Sequence, residues 1–196
     1  AYGKPVVCDE PGYEGNIYWG WGNLTGTELM RRFWEGAMRG GYVTHGETYI
    51  DQGEQVWWAH GGELHGEAPE RIAFMRGIFS DAPLDATPLD ATVPQDEAWP
   101  IAAALPEGMT LSAGLEKGMQ YWDVPVLRSG CDYQLVYFGW YRPAYREFPL
   151  PNDGKYEVEA IDTWNMTIDR LPGTYEHTVK VNLGRQYMAV RVRKVA

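Results

Sequence analysis

The hydrophobic pattern of this chain changes once along its length, and that change limits the possible folds more than any other feature. Up to about residue 80, short apolar runs alternate with segments whose apolar residues recur every three or four positions, as in strands followed by helices. From about residue 119, apolar and polar residues alternate, as in strands with one buried face. Between them, Pro-Leu-Asp-Ala-Thr occurs twice in succession, which indicates an extended connection. The sequence therefore predicts an α/β segment at 1–80, a Pro-rich connector at 81–118 and an antiparallel β-sandwich at 119–196.

Residues 5–10 predict the first strand of the α/β segment. The run is apolar until it ends in acids, which favours a parallel strand buried on both faces. Thr25 and Glu28 form a capping-box pattern ahead of an amphipathic helix, and Gly40 and Gly41 end that helix. Together these elements predict one strand–helix unit.

A second strand–helix unit is predicted directly after the first. Residues 42–45 predict its strand, and Pro69 suits the first position of its helix. The segment 46–68 between them is predicted to be a long loop. Loops of that length in a compact domain are usually functional or disordered, and this one is too rich in aromatic residues for simple disorder.

Acidic residues stand where the two predicted strands end. Asp9 and Glu10 end the first strand and Glu14 follows in its loop, whereas His45 and Glu47 end the second. Parallel α/β barrels present catalytic groups at this end of their strands. Carboxylates gathered at one rim separate each other's pKa values, and glycoside hydrolysis requires one ionised and one protonated carboxyl group. Any single acid of this set could equally be a structural acceptor for loop amides.

The aromatic composition is compatible with a sugar-binding surface. The chain has nine Trp and 13 Tyr but only five Phe, and rings with polar edges suit sugar faces as well as protein interfaces. Trp19, Trp21, Trp57 and Trp58 lie in the loops after the two predicted strands, although packing between loops can account for part of this set. The net charge of −10 argues against nucleic acid and anionic membranes as partners, and is compatible with a neutral substrate.

Other kinds of site receive weaker support. His45, His60 and His65 could bind a metal ion together with nearby glutamates, but their spacing matches no standard ligand pair, so no metal or other cofactor is predicted. Cys8 and Cys131 are predicted to be buried, reduced thiols. The sequence contains no nucleophile elbow or phosphate-cradling glycine loop, and no apolar run approaches transmembrane length.

Several segments resemble the end of the catalytic barrel in glycoside hydrolases of the apiosidase-like group. The segments that carry this resemblance are 4–16 (KPVVCDEPGYEGN), 32–36 (RFWEG), 41–49 (GYVTHGETY), 57–58 (WW) and 64–66 (LHG). Residues 156–166 and 187–190 resemble the small β-sandwich that follows the barrel in one subset. The resemblance implies an α/β plus all-β fold, namely the last two strand–helix units of a TIM-type (β/α)8 barrel followed by an antiparallel β-sandwich.

The resemblance also implies roles for particular residues. Glu10, at the end of the seventh barrel strand, corresponds to the nucleophile of a retaining two-carboxylate mechanism. The acid/base comes from the fourth strand, which this chain does not contain, so the chain alone is predicted to be an inactive portion of an enzyme. The residues expected to bind the carbohydrate or to orient Glu10 are Asp9, Tyr13, Glu14, Trp19, His45, Glu47, Trp57 and Trp58.

The expected partners are a polysaccharide or oligosaccharide substrate and the remaining part of the barrel, in the same protein or in a companion chain. The chain reads straight into a strand pattern, which predicts that further sequence precedes Ala1. Two other functions stay open. The C-terminal sandwich could be a non-catalytic carbohydrate-binding module, or its aromatic surface could serve a structural contact. The residues in question are Trp140, Tyr141, Tyr145 and Trp164.

Overall fold

Strands follow one another through most of the chain, and helices are few. The computed structural model describes residues 4–51, 54–56, 62–88, 124–151 and 154–195. That part of the chain has 13 strands and two α-helices. The chain divides into two compact units, Ala1–Asp81 and Ala82–Ala196, which we describe separately. The predicted connector lies mostly outside the described residues, so the three-part division of the sequence stays a prediction.

The N-terminal unit contains the parallel strand–helix–strand arrangement that the sequence predicts. Strand β1 (Val6–Cys8) pairs in parallel with β3 (Gly41–Val43), and helix α1 (Gly26–Met38) lies between them in sequence. The hydroxyl of Thr25 accepts a hydrogen bond from the amide of Glu28 at 3.2 Å. This bond satisfies one of the free amides of the first helical turn, as the capping pattern predicts.

The apolar face of α1 supplies much of the core of this unit. The Trp34 ring lies 5.6 Å from that of Phe79, which belongs to helix α2 (Ala68–Ser80). Proline stands in the first turn of α2, as predicted. The large apolar α1 residues that are buried are Leu29, Met30, Phe33, Trp34 and Met38.

Strand β1 is exposed, and the prediction that it is buried on both faces is wrong for this chain. Val6 is 68% exposed and Val7 is 57% exposed. Within the described residues β1 has one hydrogen-bonded neighbour, β3, so its other edge is unpaired there. The two cysteines also differ from the prediction, because Cys8 and Cys131 are both exposed, although both are free thiols.

The segment predicted to be one long loop contains a small sheet. Strand β4 (Glu47–Asp51) pairs in parallel with β2 (Glu14–Gly15) and antiparallel with β5 (Glu54–Val56). Asn16 continues the pairing with its side chain, which accepts a hydrogen bond from the Ile50 amide at 2.7 Å and donates one to the Ile50 carbonyl at 3.1 Å. A strand of two residues has no alternation that a sequence pattern could detect, which is why β2 and its sheet escaped prediction.

The C-terminal unit is built from strands alone in its described part. They are β6 (Thr87–Pro88), β7 (Val126–Ser129), β8 (Tyr133–Tyr137), β9 (Tyr145–Pro149), β10 (Lys155–Asp162), β11 (Thr167–Arg170), β12 (Thr178–Asn182) and β13 (Met188–Val195). A six-stranded antiparallel sheet has the order β11-β10-β13-β8-β7-β6, and β9 pairs with β12 in a second sheet. Alternation predicted β8, β10, β12 and β13. It missed β6, β7, β9 and β11. Strand β11 is exposed on both faces and has no alternation to show.

The two sheets share one hydrophobic core. Val158 of β10 and Val190 of β13 belong to the same buried cluster as Phe148 of β9 and Val181 of β12. Apolar side chains from both sheets therefore face each other, as in packed antiparallel sheets generally. This arrangement agrees with the predicted all-β class of the C-terminal part.

A turn between β10 and β11 is held by one buried carboxylate. Asp162 accepts hydrogen bonds from the amides of Trp164 and Asn165 at 3.1 and 2.8 Å. Its second oxygen accepts from the Asn165 side chain at 2.8 Å and from Arg185 at 2.7 Å. Burial opposes ionisation of this group, but the hydrogen bonds from Asn165 and Arg185 outweigh burial and lower the pKa of Asp162 below its ordinary value.

We expect Asp162→Asn to destabilise the C-terminal unit by about 1–2 kcal/mol at about pH 7, because the amide cannot accept all four bonds. A lowered folded-state pKa adds stability above the unfolded pKa of about 3.9, and this stability is lost as pH falls through the folded value. Urea unfolding at several acidic pH values should therefore show the stability difference between the two proteins narrowing as the pH falls below about 3.9. Asp169→Asn, at an exposed position of β11, is the control. A difference that persists at low pH would contradict the assignment.

Candidate active site

The carboxyl ends of β1 and β3 lie side by side. In the parallel register Cys8 is opposite Val43, so the residues that follow each strand emerge at one edge. The Thr44 amide donates to the Cys8 carbonyl at 3.2 Å, and the Thr44 hydroxyl donates to the carbonyl of Asp9. The prediction that the two strand ends share an edge is therefore confirmed for this pair of strands.

Asp9 and Glu10 are exposed at this edge. Burial, followed by the negative charges of Glu10 and Asp9, raises the pKa of Tyr13 above its ordinary value. The phenol of Tyr13 thus stays protonated at neutral pH and lies near the carboxylate of Glu10, which is exposed to solvent.

Tyr13 is held by its surroundings rather than free to rotate. A Cβ atom added at Gly46 would lie 2.8 Å from two atoms of the Tyr13 ring, so the ring packs on the glycine backbone. The rings of Tyr13 and Trp21 meet edge to face with centroids 6.0 Å apart. The Tyr13 amide also donates to the Trp21 carbonyl at 2.7 Å. These contacts fix the hydroxyl that lies near Glu10.

Glu14 is buried, unlike the two acids before it. It is 2% exposed, and its Oε1 atom accepts hydrogen bonds from the Glu67 amide at 2.8 Å and the Tyr49 hydroxyl at 3.2 Å. Its Oε2 atom accepts from the Ala68 amide at 3.0 Å. Burial and the charge of Glu14 raise the pKa of Tyr49, so that phenol also donates. Both oxygens of Glu14 are thus used within the protein.

Glu47 binds the two residues that precede Glu67 and Ala68 in the chain. Its Oε2 atom accepts hydrogen bonds from the amides of His65 and Gly66 at 2.7 and 2.9 Å. Glu14 and Glu47 are directly paired across β2 and β4. Four successive amides, at positions 65–68, therefore end on two adjacent carboxylates, and we name this arrangement the carboxylate clasp. In the clasp both carboxylate oxygens of Glu14 are bound to groups of the protein, and the prediction that Glu14 orients Glu10 or binds substrate stays a prediction.

Gly66 lets the clasp close. A Cβ atom at this position would lie 2.7 Å from the Oε1 atom of Glu47 and closer still to the Oε2 atom of Glu14. Any larger residue would push the two carboxylates away from the amides that they bind. The sequence motif Leu-His-Gly at 64–66 thus has a steric reason for its glycine.

We expect Glu14→Gln to open the clasp, because the carboxamide NH2 group would face a backbone N–H donor. An unsatisfied buried amide costs about 1–3 kcal/mol. Hydrogen–deuterium exchange should show faster exchange at the amides of Glu67 and Ala68 than in the parent chain. Glu63→Gln, which removes the same charge from an exposed loop position, is the control. Unchanged protection at both amides would show that Glu14 does not hold them.

His45 lies beside the clasp. Its Nε2 atom is 3.6 Å from the Oε1 atom of Glu47, and its ring lies 6.5 Å from that of Phe33. The side chain of His45 is 21% exposed, whereas that of Glu47 is fully buried. His45 therefore reaches the solvent-facing side of the edge while Glu47 stays beneath it.

Exposed aromatic rings flank the edge on the loop after β2. Tyr18 is 88% exposed and Trp19 is 58% exposed, and their rings meet edge to face at 5.5 Å. Trp57 and Trp58, which were predicted to bind substrate, lie outside the described residues, as does His60. Within the described part no group of three or more His, Cys, Asp or Glu residues could hold a metal ion. No helix in that part is long and apolar enough to cross a membrane.

Several residues of this site were not predicted from the sequence. Tyr49, Thr48 and Gly66 connect the loops, yet each acts through contacts with residues far away in sequence. The Thr48 hydroxyl, for example, donates to the Gly22 carbonyl at 2.6 Å. The alternation of Glu47 and Tyr49 was the one local signal that could have indicated a strand here.

In the C-terminal unit the candidate sugar-binding rings are already engaged with neighbouring side chains. The Nζ atom of Lys180 lies 3.7 Å from the centre of the Tyr145 ring, so one face of that ring is covered. Trp140 is 53% exposed and meets Tyr141 edge to face at 6.4 Å. Tyr141 also packs against the hydrophobic core, and Trp164 is half-buried.

Comparison with known proteins relates the chain to glycoside hydrolases. A family model described as a domain of unknown function (DUF5605) matches residues 122–193, which is fewer than half of the residues. No curated protein sequence matches the chain. A solved structure of a candidate glycoside hydrolase from Bacteroides vulgatus has 28% sequence identity and a TM-score of 0.73, and the match covers 98% of this chain and 36% of that one.

Two further solved structures share the fold at lower identity. A protein described as a glycoside hydrolase has 16% identity and a TM-score of 0.63. A glycoside hydrolase family 5 protein from Bacteroides vulgatus has 15% identity and a TM-score of 0.64. Each match covers 97% of this chain and 42% of the other. The chain thus spans 36% to 42% of the length of the structures that it matches, and the likeness is to part of a glycoside hydrolase rather than to a separate binding module.

Proposed function

We propose that this chain is part of a glycoside hydrolase that acts on O-glycosidic bonds of a polysaccharide or oligosaccharide, with Glu10 as the nucleophile. The observation that carries the proposal is the position of Glu10. It follows the carboxyl end of a parallel strand, it is exposed, and the protonated phenol of Tyr13 lies near it. An exposed carboxylate at this position can approach the anomeric carbon of a bound sugar.

The proposed reaction is the retaining two-carboxylate mechanism. Glu10 attacks the anomeric carbon and forms a covalent glycosyl-enzyme, while a second carboxyl group protonates the leaving oxygen and then activates water. In the described residues Glu14 and Glu47 are bound to backbone amides, so neither is available for the second role. The second group is proposed to come from the remaining part of the enzyme, as the resemblance to apiosidase-like glycoside hydrolases implies, and this chain alone is expected to be inactive.

The remaining part is proposed to be the rest of a (β/α)8 barrel of the apiosidase-like group. Within the described residues one edge of β1 has no strand neighbour and its two valines are exposed, which supports this assignment, since a barrel strand has neighbours on both edges. Beside it, an open groove of about 370 Å³ runs along α1 and is lined by Cys8, Pro11, Arg32, Glu35, Gly36, Arg39 and Val43. A preceding strand–helix unit would pair with β1 and fill this groove. The C-terminal sheets would then be the small β-sandwich that follows the barrel.

Aromatic rings are proposed to bind the sugar next to Glu10. Tyr13 lies between β1 and β2 and Trp19 follows β2, whereas Trp57 and Trp58 follow Val56 in sequence. Indole and phenol faces stack on the C–H faces of sugar rings, and the net charge of −10 suits an uncharged substrate. Asp9 is exposed beside Glu10 and is proposed to bind a substrate hydroxyl.

Trapping the covalent intermediate tests the proposal. The intact enzyme would be incubated with a fluorinated aryl glycoside that forms the glycosyl-enzyme quickly and releases it slowly. Peptide mass spectrometry should then find the added sugar on Glu10. A sugar on another carboxylate would exclude Glu10 as the nucleophile, and steady release of the aryl group with neither a burst nor a labelled peptide would indicate a mechanism without a covalent intermediate.

A further inference from the structure

One carboxylate oxygen of the clasp has no hydrogen-bond donor within the described residues. The Oε2 atom of Glu47 binds two amides, whereas its Oε1 atom is buried and has no partner there. Burying a charged oxygen without a donor is costly, so such an oxygen normally has one close by. The Nε2 atom of His45 lies 3.6 Å from this oxygen.

The facing atom of His45 has the complementary property. Its Nε2 atom is also buried and has no hydrogen-bond partner in the described part of the chain. The Phe33 ring, tilted by 57°, lies beside the imidazole and restricts its rotation. Because Nε2 is buried, the exposed 21% of this side chain belongs to its other atoms. A small closure between Nε2–H and Oε1 would satisfy both buried atoms at once.

We propose that Glu47 is a positioning residue that fixes the tautomer of His45, so that His45 presents an unprotonated Nδ1 atom to a hydroxyl group of the substrate. With the proton on Nε2, donated to Glu47, the neutral imidazole has its lone pair on Nδ1. A ring nitrogen with a lone pair accepts a hydrogen bond from a sugar hydroxyl. The substrate contact rests on the proposed function, whereas the tautomer does not.

The position of His45 suits that contact. It follows β3 directly, and Thr44 before it is bonded to the end of β1. His45 therefore stands at the edge where Glu10 emerges. A group that is already oriented binds a substrate hydroxyl more tightly, because no conformational entropy is lost in ordering that group when the substrate binds.

The tautomer is tested by nuclear magnetic resonance of the imidazole nitrogens at about pH 8, well above the ordinary imidazole pKa of about 6.5. The chain has four histidines, so the signal of His45 can be assigned by its loss in His45→Asn. We expect the proton on Nε2 in the parent protein. In Glu47→Gln the carboxamide oxygen can keep the amides of His65 and Gly66, and its NH2 group then donates to Nε2, which moves the proton to Nδ1. Glu63→Gln should leave the tautomer unchanged.

A proton on Nδ1, or on both nitrogens, in the parent protein would overturn the proposal, and so would an unchanged tautomer in Glu47→Gln.

In the intact enzyme, His45→Ala should raise KM about tenfold, which corresponds to one lost hydrogen bond, and change kcat less. His45→Asn, whose carboxamide oxygen can accept from the same hydroxyl, should restore part of this loss. Unchanged KM in both variants would overturn the substrate contact. An intact protein without glycosidase activity but with the expected tautomers would instead count against the proposed function alone.

Discussion

Glu10→Gln is expected to lower kcat of the intact protein on aryl glycosides by at least about 1,000-fold, because it removes the proposed nucleophile. This loss corresponds to about 4 kcal/mol of transition-state stabilisation. The substitution should not disturb the fold, since Glu10 is exposed. The measurement is steady-state kinetics over a panel of aryl glycosides, with circular dichroism to check the fold.

Glu70→Gln is the matched control for this experiment. It makes the same chemical change at an exposed position in the first turn of α2, and full turnover is expected. If Glu10→Gln kept the turnover of the parent enzyme on a substrate that the parent hydrolyses, Glu10 would not be the nucleophile. The adjacent acid Asp9 would then be the next position to replace.

Gly15→Ala is expected to destabilise the N-terminal unit by about 3 kcal/mol or more. A Cβ atom at Gly15 would overlap the carbonyl oxygen of Thr48, and it would lie 2.5 Å from the Thr48 hydroxyl oxygen. The obstacle is backbone, which cannot rotate away as a side chain can, so relief requires β2 to separate from β4. Overpacking of this kind costs about 1–3 kcal/mol even where side chains can move.

Gly20→Ala provides the comparison, because a Cβ atom at Gly20 would meet no atom within 4 Å. Both glycines lie in the same segment after β1, so the pair separates the steric effect from the general effect of adding a methyl group. Urea unfolding followed by tryptophan fluorescence would give the two midpoints. Equal midpoints for the two variants would show that β2 and β4 are not packed as closely as described.

Elements marked by a regular local pattern of residues were predictable from the sequence. The cap at Thr25, the buried face of α1 and the proline in the first turn of α2 all follow from local spacing. Four strands of the C-terminal unit follow in the same way from alternation. The adjacency of the ends of β1 and β3 was also predictable, because parallel strands joined by one helix start and end at the same edges.

The parts that escaped prediction depend on contacts between distant residues. Nothing local in the sequence distinguishes the exposed Glu10 from the buried Glu14 four residues later, because their burial is decided by the segment at 65–68. The exposure of Val6 and Val7 could not be predicted from the sequence either, because an apolar strand has the same sequence whether or not its neighbouring strands lie in the same chain. Only the pairing of β2 with β4 reveals that Glu47 belongs beside Glu14.

The carboxylate clasp has a consequence for how such a site can change. It joins the loop after β1 to the loop before α2, because Glu14 comes from the first and the amides that it binds come from the second. Neither loop can therefore be exchanged alone for one of different length without leaving a buried carboxylate or a row of amides unmatched. Loop grafting between related proteins should succeed when both loops are transferred together. A change of specificity at this edge therefore requires the exchange of both loops.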